Sequence, residues 1–307
     1  MVRPSPPPHA PVASAQCFVE MSLSRIRGAT RRVVGTLGRI AGDRGETLAM
    51  YDSLGYLPNL LWPRSFSEKV VRRKLRRHPA LWSDYSDKVK VRDHVIQRVG
   101  KDCLTDLYLV TDNPDEIRLA SLPPRFVVKA NHGSGWNLIV NGSAAISEAA
   151  LRSQCRKWLG MRYGVETHED WYSAISPKIM VEEYLADAVH GVPLDYKFWV
   201  FHGVVEFVQV DLGRFSNHTR SMYDRRWNRQ PWSVHYPLGP DVQRPKSLDR
   251  MIEMAECLAV DPEFVRVDLY CPNDETPRFG ELTLTPGCGW IPFLPGKSVD
   301  FWVGTFW

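Results

Sequence analysis

From Ser22 to Ile40 apolar residues return at helical spacing: Leu23, Ile26, Val33, Val34, Leu37 and Ile40. The opposite face carries Arg25, Arg27, Arg31, Arg32 and Arg39. The pattern predicts a basic amphipathic helix, either packed on the domain with a solvated basic face or laid on an anionic membrane surface. Ahead of it the chain is rich in Pro and Ala up to about Cys17, which predicts a disordered tail over residues 1–21. Ser65-Phe66-Ser67-Glu68 reads as a capping box, Ser65 at the N-cap and Glu68 at N3, for a helix over Lys69–Arg77. A further helix is predicted over Lys88–Val99, stopped by Gly100. The period then changes to that of strands. Phe126–Ala130 and Leu138–Val140 bracket the loop Asn131-His132-Gly133-Ser134-Gly135-Trp136-Asn137. Ser147–Leu159 predicts a helix, and Ile179–Val181 a short buried strand running into Glu182-Glu183-Tyr184-Leu185. Tyr196–Phe201 and Val204–Val210 form a hairpin through His202-Gly203. Leu212 to Gly239 is polar, aromatic and punctuated by Pro and Gly, as in a long functional or disordered loop. Leu248–Leu258 is an amphipathic helix. Helices and strands mix without regular β-α-β alternation, so the expected class is α+β.

Two more apolar strands flank the turn Pro272-Asn273-Asp274-Glu275, with Asp268 on the first and Glu281 on the second. Antiparallel pairing brings such residues within a few ångströms when they share a face. With Thr283 two positions on, they are hard oxygen donors suited to Mg²⁺, which takes one or two carboxylates and leaves its other positions to water and phosphates. The same stretch also reads as a surface hairpin with solvated acids.

Composition narrows the classes. The chain has 307 residues and a net charge of +4, too weak to argue for nucleic acid. Its six cysteines (Cys17, Cys103, Cys155, Cys257, Cys271, Cys288) form no CxxC pair, which argues against a zinc site and a disulfide scaffold. No apolar run reaches the length of a membrane span, and Pro4-Ser5-Pro6-Pro7-Pro8 lacks the apolar region of a signal peptide. A reduced cytoplasmic protein is expected.

Gly133-Ser134-Gly135 sits between two strands, so it is neither a P-loop nor a dinucleotide fingerprint, both of which need a following helix N-terminus. Glycines in a hairpin still let backbone N–H groups converge on phosphate, and Lys129 on the preceding strand can add a point charge. His132 reads equally as a ligand or as a structural hairpin residue, and Trp136 as a packing residue. In the long loop Arg214, Arg220, Tyr223, Asp224 and Trp227 form either an anion-reading set or a solvated segment.

The order lysine, glycine hairpin, Glu-Glu-Tyr-Leu, Asp-Tyr-Lys strand and Asp…Glu hairpin resembles the layout of the ATP-grasp fold. Phe66-Ser67-Glu68-Lys69, Asp87-Lys88-Val89-Lys90-Val91-Arg92, Leu122-Pro123, Phe126–Gly135, Val181–Leu185, Asp195–Phe198 and Phe264–Tyr270 resemble the TupA-like ATP-grasp family, named for teichuronopeptide biosynthesis. The resemblance runs from about Phe66 to the end.

By that resemblance two α+β subdomains grip ATP, the small one over residues 126–190 and the large one, with the metal site, over 191–307. A reduced, mainly helical N-terminal region is expected over 22–125. Lys88, or its neighbour Lys90, and Lys129 contact phosphate. The Gly133–Gly135 hairpin covers it, Glu182, Glu183, Tyr184 and Leu185 hold adenine through the backbone, and Asp195 takes the ribose side. Lys197 points towards phosphate or substrate, and Arg266 faces the γ-phosphate and the tetrahedral centre. Asp268 and Glu281 hold one or two Mg²⁺ ions, with Thr283 standing where many ATP-grasp enzymes carry Asn. The implied activity is an ADP-forming carboxylate–amine ligase of cell-surface polymer biosynthesis, joining an acid and an amine that the residues do not identify and that belong to a glycan or a lipid-linked glycan. The alternatives are an ATP-grasp kinase of a sugar or other hydroxyl, and a non-catalytic glycan-assembly component. A weak membrane contact through the N-terminal basic helix completes the expectations.

Overall fold

The computed structural model describes residue 30, residues 33–34, 43–76, 78–142, 146–188, 191–213, 217–261 and 263–307. The expected tail over 1–21, nearly all of the 22–40 helix, Arg77 and Arg214 lie outside the described residues. From residue 43 on, four α-helices come first: α1 (Arg44–Leu54), α2 (Phe66–Lys74), α3 (Leu81–Ser86) and α4 (Val91–Val99). The capping box on α2 is present, and Gly100 closes α4. The Glu68 carboxylate accepts from the backbone N–H of Asn59 (2.8 Å), Arg64 (2.8 Å) and Ser65 (3.0 Å). Losing these three bonds to a charged acceptor, one of them buried, Glu68→Ala is expected to cost about 2 kcal/mol, read from the midpoint of urea unfolding.

The N-terminal region is not purely helical. A strand that its sequence pattern did not reveal, β1 (Leu107–Thr111), enters a four-stranded antiparallel sheet in the order β1-β4-β2-β3. Its partners are β2 (Arg125–Ala130), β3 (Asn137–Asn141) and β4 (Ile179–Glu183). Phe126, Val128, Ala130, Val140, Ile179 and Val181 face α5 (Glu148–Leu159) and form a core with its Leu151, Cys155 and Trp158. Strand alternation turns Val127, Lys129 and Glu182 to the other face, which borders a cleft.

The second sheet runs β10-β9-β5-β6-β7, all antiparallel. It comprises β5 (Asp195–Phe201), β6 (Val204–Leu212), β7 (Thr219–Asp224), β9 (Phe264–Tyr270) and β10 (Arg278–Thr283). One face is apolar throughout and packs Phe198, Val200, Val208, Val265 and Val267 against α6 (Leu248–Leu258) and α4. The other face is divided. Trp199, Phe201, Phe207, Met222 and Phe264 make an aromatic half with Phe66 of α2 and with the chain end, where β11 (Phe293–Leu294) and α7 (Lys297–Val303) lie. The remaining half carries charge and faces the cleft. The stretch from Leu212 to Gly239 is not a plain loop: it supplies β7 and β8 (Ser233–Val234). Its aromatic and polar composition hid β7, whose Met222 and Tyr223 are buried on opposite faces of the sheet. The five described cysteines are all free thiols. Among the described residues no helix is long and apolar enough to cross a membrane.

Candidate active site

The charged half of the second sheet is built by register. Lys197 on β5 faces Asp268 on β9 and Gln209 on β6, and Asp195 faces Asp211. Lys197 Nζ lies 2.6 Å from Asp195 Oδ2, 2.7 Å from Asp268 Oδ2 and 4.0 Å from Asp211 Oδ2. Burial works against the Lys197 charge, but Asp195 and Asp268 outweigh it and hold the ammonium above its usual pKa. Arg266 clamps Asp268 in two bonds, Nε to Oδ1 at 2.7 Å and Nη2 to Oδ2 at 2.6 Å. Burial would raise the Asp268 pKa; Arg266 and Lys197 reverse that and keep the carboxylate ionised. Arg266 Nη2 also donates to Thr283 Oγ1 at 3.0 Å and lies 3.7 Å from Glu281 Oε1.

Glu281 reaches this face because of a bulge. Phe279 pairs with Leu269, yet Glu281 pairs with Asp268, so Gly280 is an extra residue. In a regular ladder Gly280 would take the place opposite Asp268, and Glu281 would sit opposite Val267 and point into the core with Phe279. A Cβ on Gly280 would stand 2.9 Å from the Asp268 carbonyl oxygen, which restricts the position to glycine.

The other wall of the cleft comes from the first sheet. Lys88 Nζ donates to the Gly133 carbonyl at 2.6 Å and lies 3.9 Å from Glu281 Oε2, so it stands between the glycine hairpin and the carboxylates. Burial lowers its pKa, Glu281 counters, and the Lys129 charge adds to the lowering. Lys90 is exposed and pairs with Asp84 at 2.7 Å, which leaves Lys88 as the inward lysine of the two. Lys129 pairs with Glu182, whose other oxygen accepts from Thr105 Oγ1 at 2.8 Å. These residues line a cavity of about 170 Å³ with Val127, Ile139, Tyr270 and Phe279. Glu183, Tyr184 and Leu185 close one end of it, where the chain leaves β4.

The expected residues separate into groups. Lys129 and residues 182–185 share the cavity; Lys88, Lys197, Arg266, Asp268, Glu281 and Thr283 share the charged half. Asp195 is not among the residues that line the cavity; it is buried against Lys197, opposite Tyr270 on β9. His132 is 3% exposed, with Nδ1 3.1 Å from Asn131 Oδ1 and Nε2 3.2 Å from the Trp158 carbonyl. Both ring nitrogens thus have protein partners, and His132 braces the hairpin instead of offering a free nitrogen to a nucleotide. Burial lowers its pKa. Ser134 and Gly135 are exposed at the hairpin tip, with Gly135 at φ +75°. Trp136 packs over Gly133, where a Cβ would meet its ring at 2.6 Å.

Of the long-loop candidates, Arg220 reaches the charged half, donating to Asp211 Oδ1 at 2.6 Å. Tyr223 stacks on Trp227 on the other side of the sheet at 4.1 Å, and Asp224 caps its own turn by accepting from Arg226 and Asn228 N–H. Gln209 and Asp211 are members that the sequence reading missed. Their signal was present: Gln209 and Asp211, spaced by two and alternating with apolar Val208, Val210 and Leu212, mark a polar patch on one face. Burial opposes the Asp211 charge, and Arg220 with Lys197 overcome it, lowering its pKa to about 2.

The donor set suits Mg²⁺. Asp268 Oδ1 accepts a single hydrogen bond and keeps a lone pair, the Glu281 side chain is 37% exposed, and Thr283 adds a hydroxyl. Among the described residues no three or more His, Cys, Asp or Glu are placed to hold a metal ion by themselves, so an ion here would draw most of its shell from ligand oxygens and water.

A search of curated proteins finds no match. Similar solved structures include the D-alanine–D-alanine ligase of Bacillus anthracis complexed with ATP, at 14% identity and TM-score 0.39, covering 66% of this chain and 55% of that one. The ATP-grasp ligase PsnB complexed with minimal precursor follows at 13% and 0.36, covering 67% and 54%. An L-amino acid ligase from Bacillus licheniformis has 12% identity and TM-score 0.43, covering 73% and 48%. The chain thus spans about half the length of these proteins, and likenesses of this size carry no argument. A family model described as TupA-like ATPgrasp matches residues 68–306. Since that match takes in both sheets, the glycine hairpin and the bulged β9–β10 hairpin, the chain belongs to the TupA-like ATP-grasp family.

Proposed function

We propose that the protein is an ATP- and Mg²⁺-dependent carboxylate–amine ligase. The observation that carries the reading is Lys88, which bridges the glycine hairpin and the carboxylate hairpin from 2.6 Å and 3.9 Å. A triphosphate with its adenine in the cavity beside Tyr184 and Leu185 would run past Lys129 and Lys88 towards Arg266. In the first step a substrate carboxylate oxygen attacks the γ-phosphorus, the bond to ADP breaks, and an acyl phosphate forms. In the second the amine nitrogen attacks the acyl carbon, loses a proton, and expels phosphate. The chain's part is positioning and charge. Lys88 and Lys129 offset phosphate charge, Arg266 faces the transferring group, and Lys197 holds Asp268 in place. Asp268 and Glu281 would hold Mg²⁺, which when bound neutralises charge on the phosphoryl group. The family's name supports acids or amines of cell-surface polymers as the substrate class, in the setting of polysaccharide biosynthesis at the cell envelope.

Trapping tests the reaction. With hydroxylamine in place of the amine, an acid panel is expected to yield a hydroxamate with ADP and phosphate. AMP with pyrophosphate would exclude the acyl phosphate, and a stable phosphorylated sugar made without any amine would identify a kinase instead. Lys129→Met is expected to weaken ATP binding about tenfold by calorimetry, the weight of one charge-assisted contact, with the unfolding transition intact. Unchanged affinity would reduce the hairpin to a structural role.

A further inference from the structure

Lys69, Arg72 and Arg73 of α2, and Arg76 just beyond its end, follow one another at spacings of three and four residues, on one side of the segment. Two of them are used internally. Lys69 Nζ donates to the Gly304 carbonyl at 2.9 Å and to that of Trp307. Arg73 donates to the Phe264 carbonyl at 2.7 Å and pairs with Asp261 at 2.5 Å. Among the described residues Arg72 and Arg76 have no acceptor, and Arg72 Nε is buried without a partner. Both line a cavity of about 380 Å³ remote from the ligase site, together with Pro63 and Trp307. The acids in its wall are engaged: Asp261 by Arg73, and Glu263 by Trp307 Nε1 at 3.4 Å.

Pro63 ends a loop that holds apolar side chains in water. Trp62 is 74% exposed, Leu57 49% and Leu61 44%. The loop is fixed, because Glu68 accepts from the Asn59 and Arg64 N–H groups and Asn59 Oδ1 accepts from Trp62 N–H at 3.0 Å. A rigid loop presenting Trp and Leu beside unpaired guanidiniums matches a bilayer surface, where Trp favours the headgroup zone and Arg binds phosphate in two bonds. We propose that the 57–63 loop and the Arg72–Arg76 cavity dock on an anionic phospholipid bilayer, with the apolar side chains entering the headgroup region and the arginines holding a lipid phosphate. A free phosphate offers the same oxygens but nothing for Trp62 and Leu61 to enter, which favours the bilayer. The proposal uses no residue of the basic 22–40 segment and does not depend on the ligase reading.

Flotation of the full chain with phosphatidylcholine vesicles, and with vesicles enriched in phosphatidylglycerol, tests it. Binding is expected only to the anionic vesicles and is expected to fall with salt. Arg72→Ala with Arg76→Ala should weaken it at least about tenfold, and Trp62→Ser by a similar factor. Trp62 and Arg76 are exposed, so Trp62→Ser and the single Arg76→Ala keep the test valid should the double variant unfold. Absence of wild-type flotation, or variants that float like wild type, would overturn the proposal. Calorimetric binding of inorganic phosphate that needs Arg72 and Arg76, with no flotation, would overturn it in favour of a soluble-anion site.

Discussion

Glu281→Ala is expected to lower ADP-forming turnover by at least about 10²–10³-fold, the usual loss when one electrostatic contact to a transition state is removed. Three features of the side chain lead there. It stands opposite Asp268 through the Gly280 bulge, it is the most accessible of the carboxylates on that face, and it lies within 4 Å of both Lys88 and Arg266. Its loss removes an oxygen donor for the ion and takes a negative charge from beside Lys88 and Arg266. A half-exposed side chain makes little core, so the unfolding transition should stay near wild type. Steady-state ADP release with a Mg²⁺ titration checks the outcome. Near-normal turnover in the folded variant would remove Glu281 from the metal assignment.

Arg266→Lys is expected to cost turnover about 10²-fold or more, with ATP affinity within a few-fold of wild type. Alanine would be the poorer choice, since it would strip the buried Asp268 of its bidentate partner and cost several kcal/mol in stability. Lysine keeps the charge but not the planar fork that spans Asp268 and reaches Thr283 and Glu281. A contact made mainly in the transition state shows up in kcat and kcat/KM together, without a matching change in nucleotide binding. Calorimetry of ATP beside steady-state kinetics separates the two. Parallel loss of ATP affinity would mean that Arg266 organises the ground state.

Much of the site could be read from the chain because its residues sit in short, strongly patterned strands. Lys129 precedes a glycine hairpin, and Lys197 interrupts a strand that is otherwise apolar and aromatic up to Phe201. Such interruptions are visible wherever strand alternation is regular. Leu248–Leu258 was legible for the analogous reason, a clean apolar stripe at helical period. β7 was not, because an edge strand that buries Met222 and Tyr223 on opposite faces shows no alternation. Nor were α1 and β1, whose stability comes from what they pack against more than from local pattern.

The sequence by itself determined the types of the strongly patterned elements, the family, and the presence of two lysines, an arginine and two carboxylates in a set order. Local propensity and period are properties of neighbouring residues, so a linear reading can recover them. Which side chains meet was decided in three dimensions. Lys88 rather than Lys90 turns inward because the backbone N–H of Lys88 donates to the Asn131 carbonyl and Asp87 accepts from Asn131, tying the start of α4 to the glycine hairpin. Asp195 joins Lys197 in a cluster with Asp268 and Asp211, which lie 71 and 14 residues from Lys197 in the chain. Glu281 joins the charged face and not the core because Gly280 bulges out of the ladder; strand faces alternate with a period of two, so a Gly280 paired in register would have turned Glu281 to the face of Phe279.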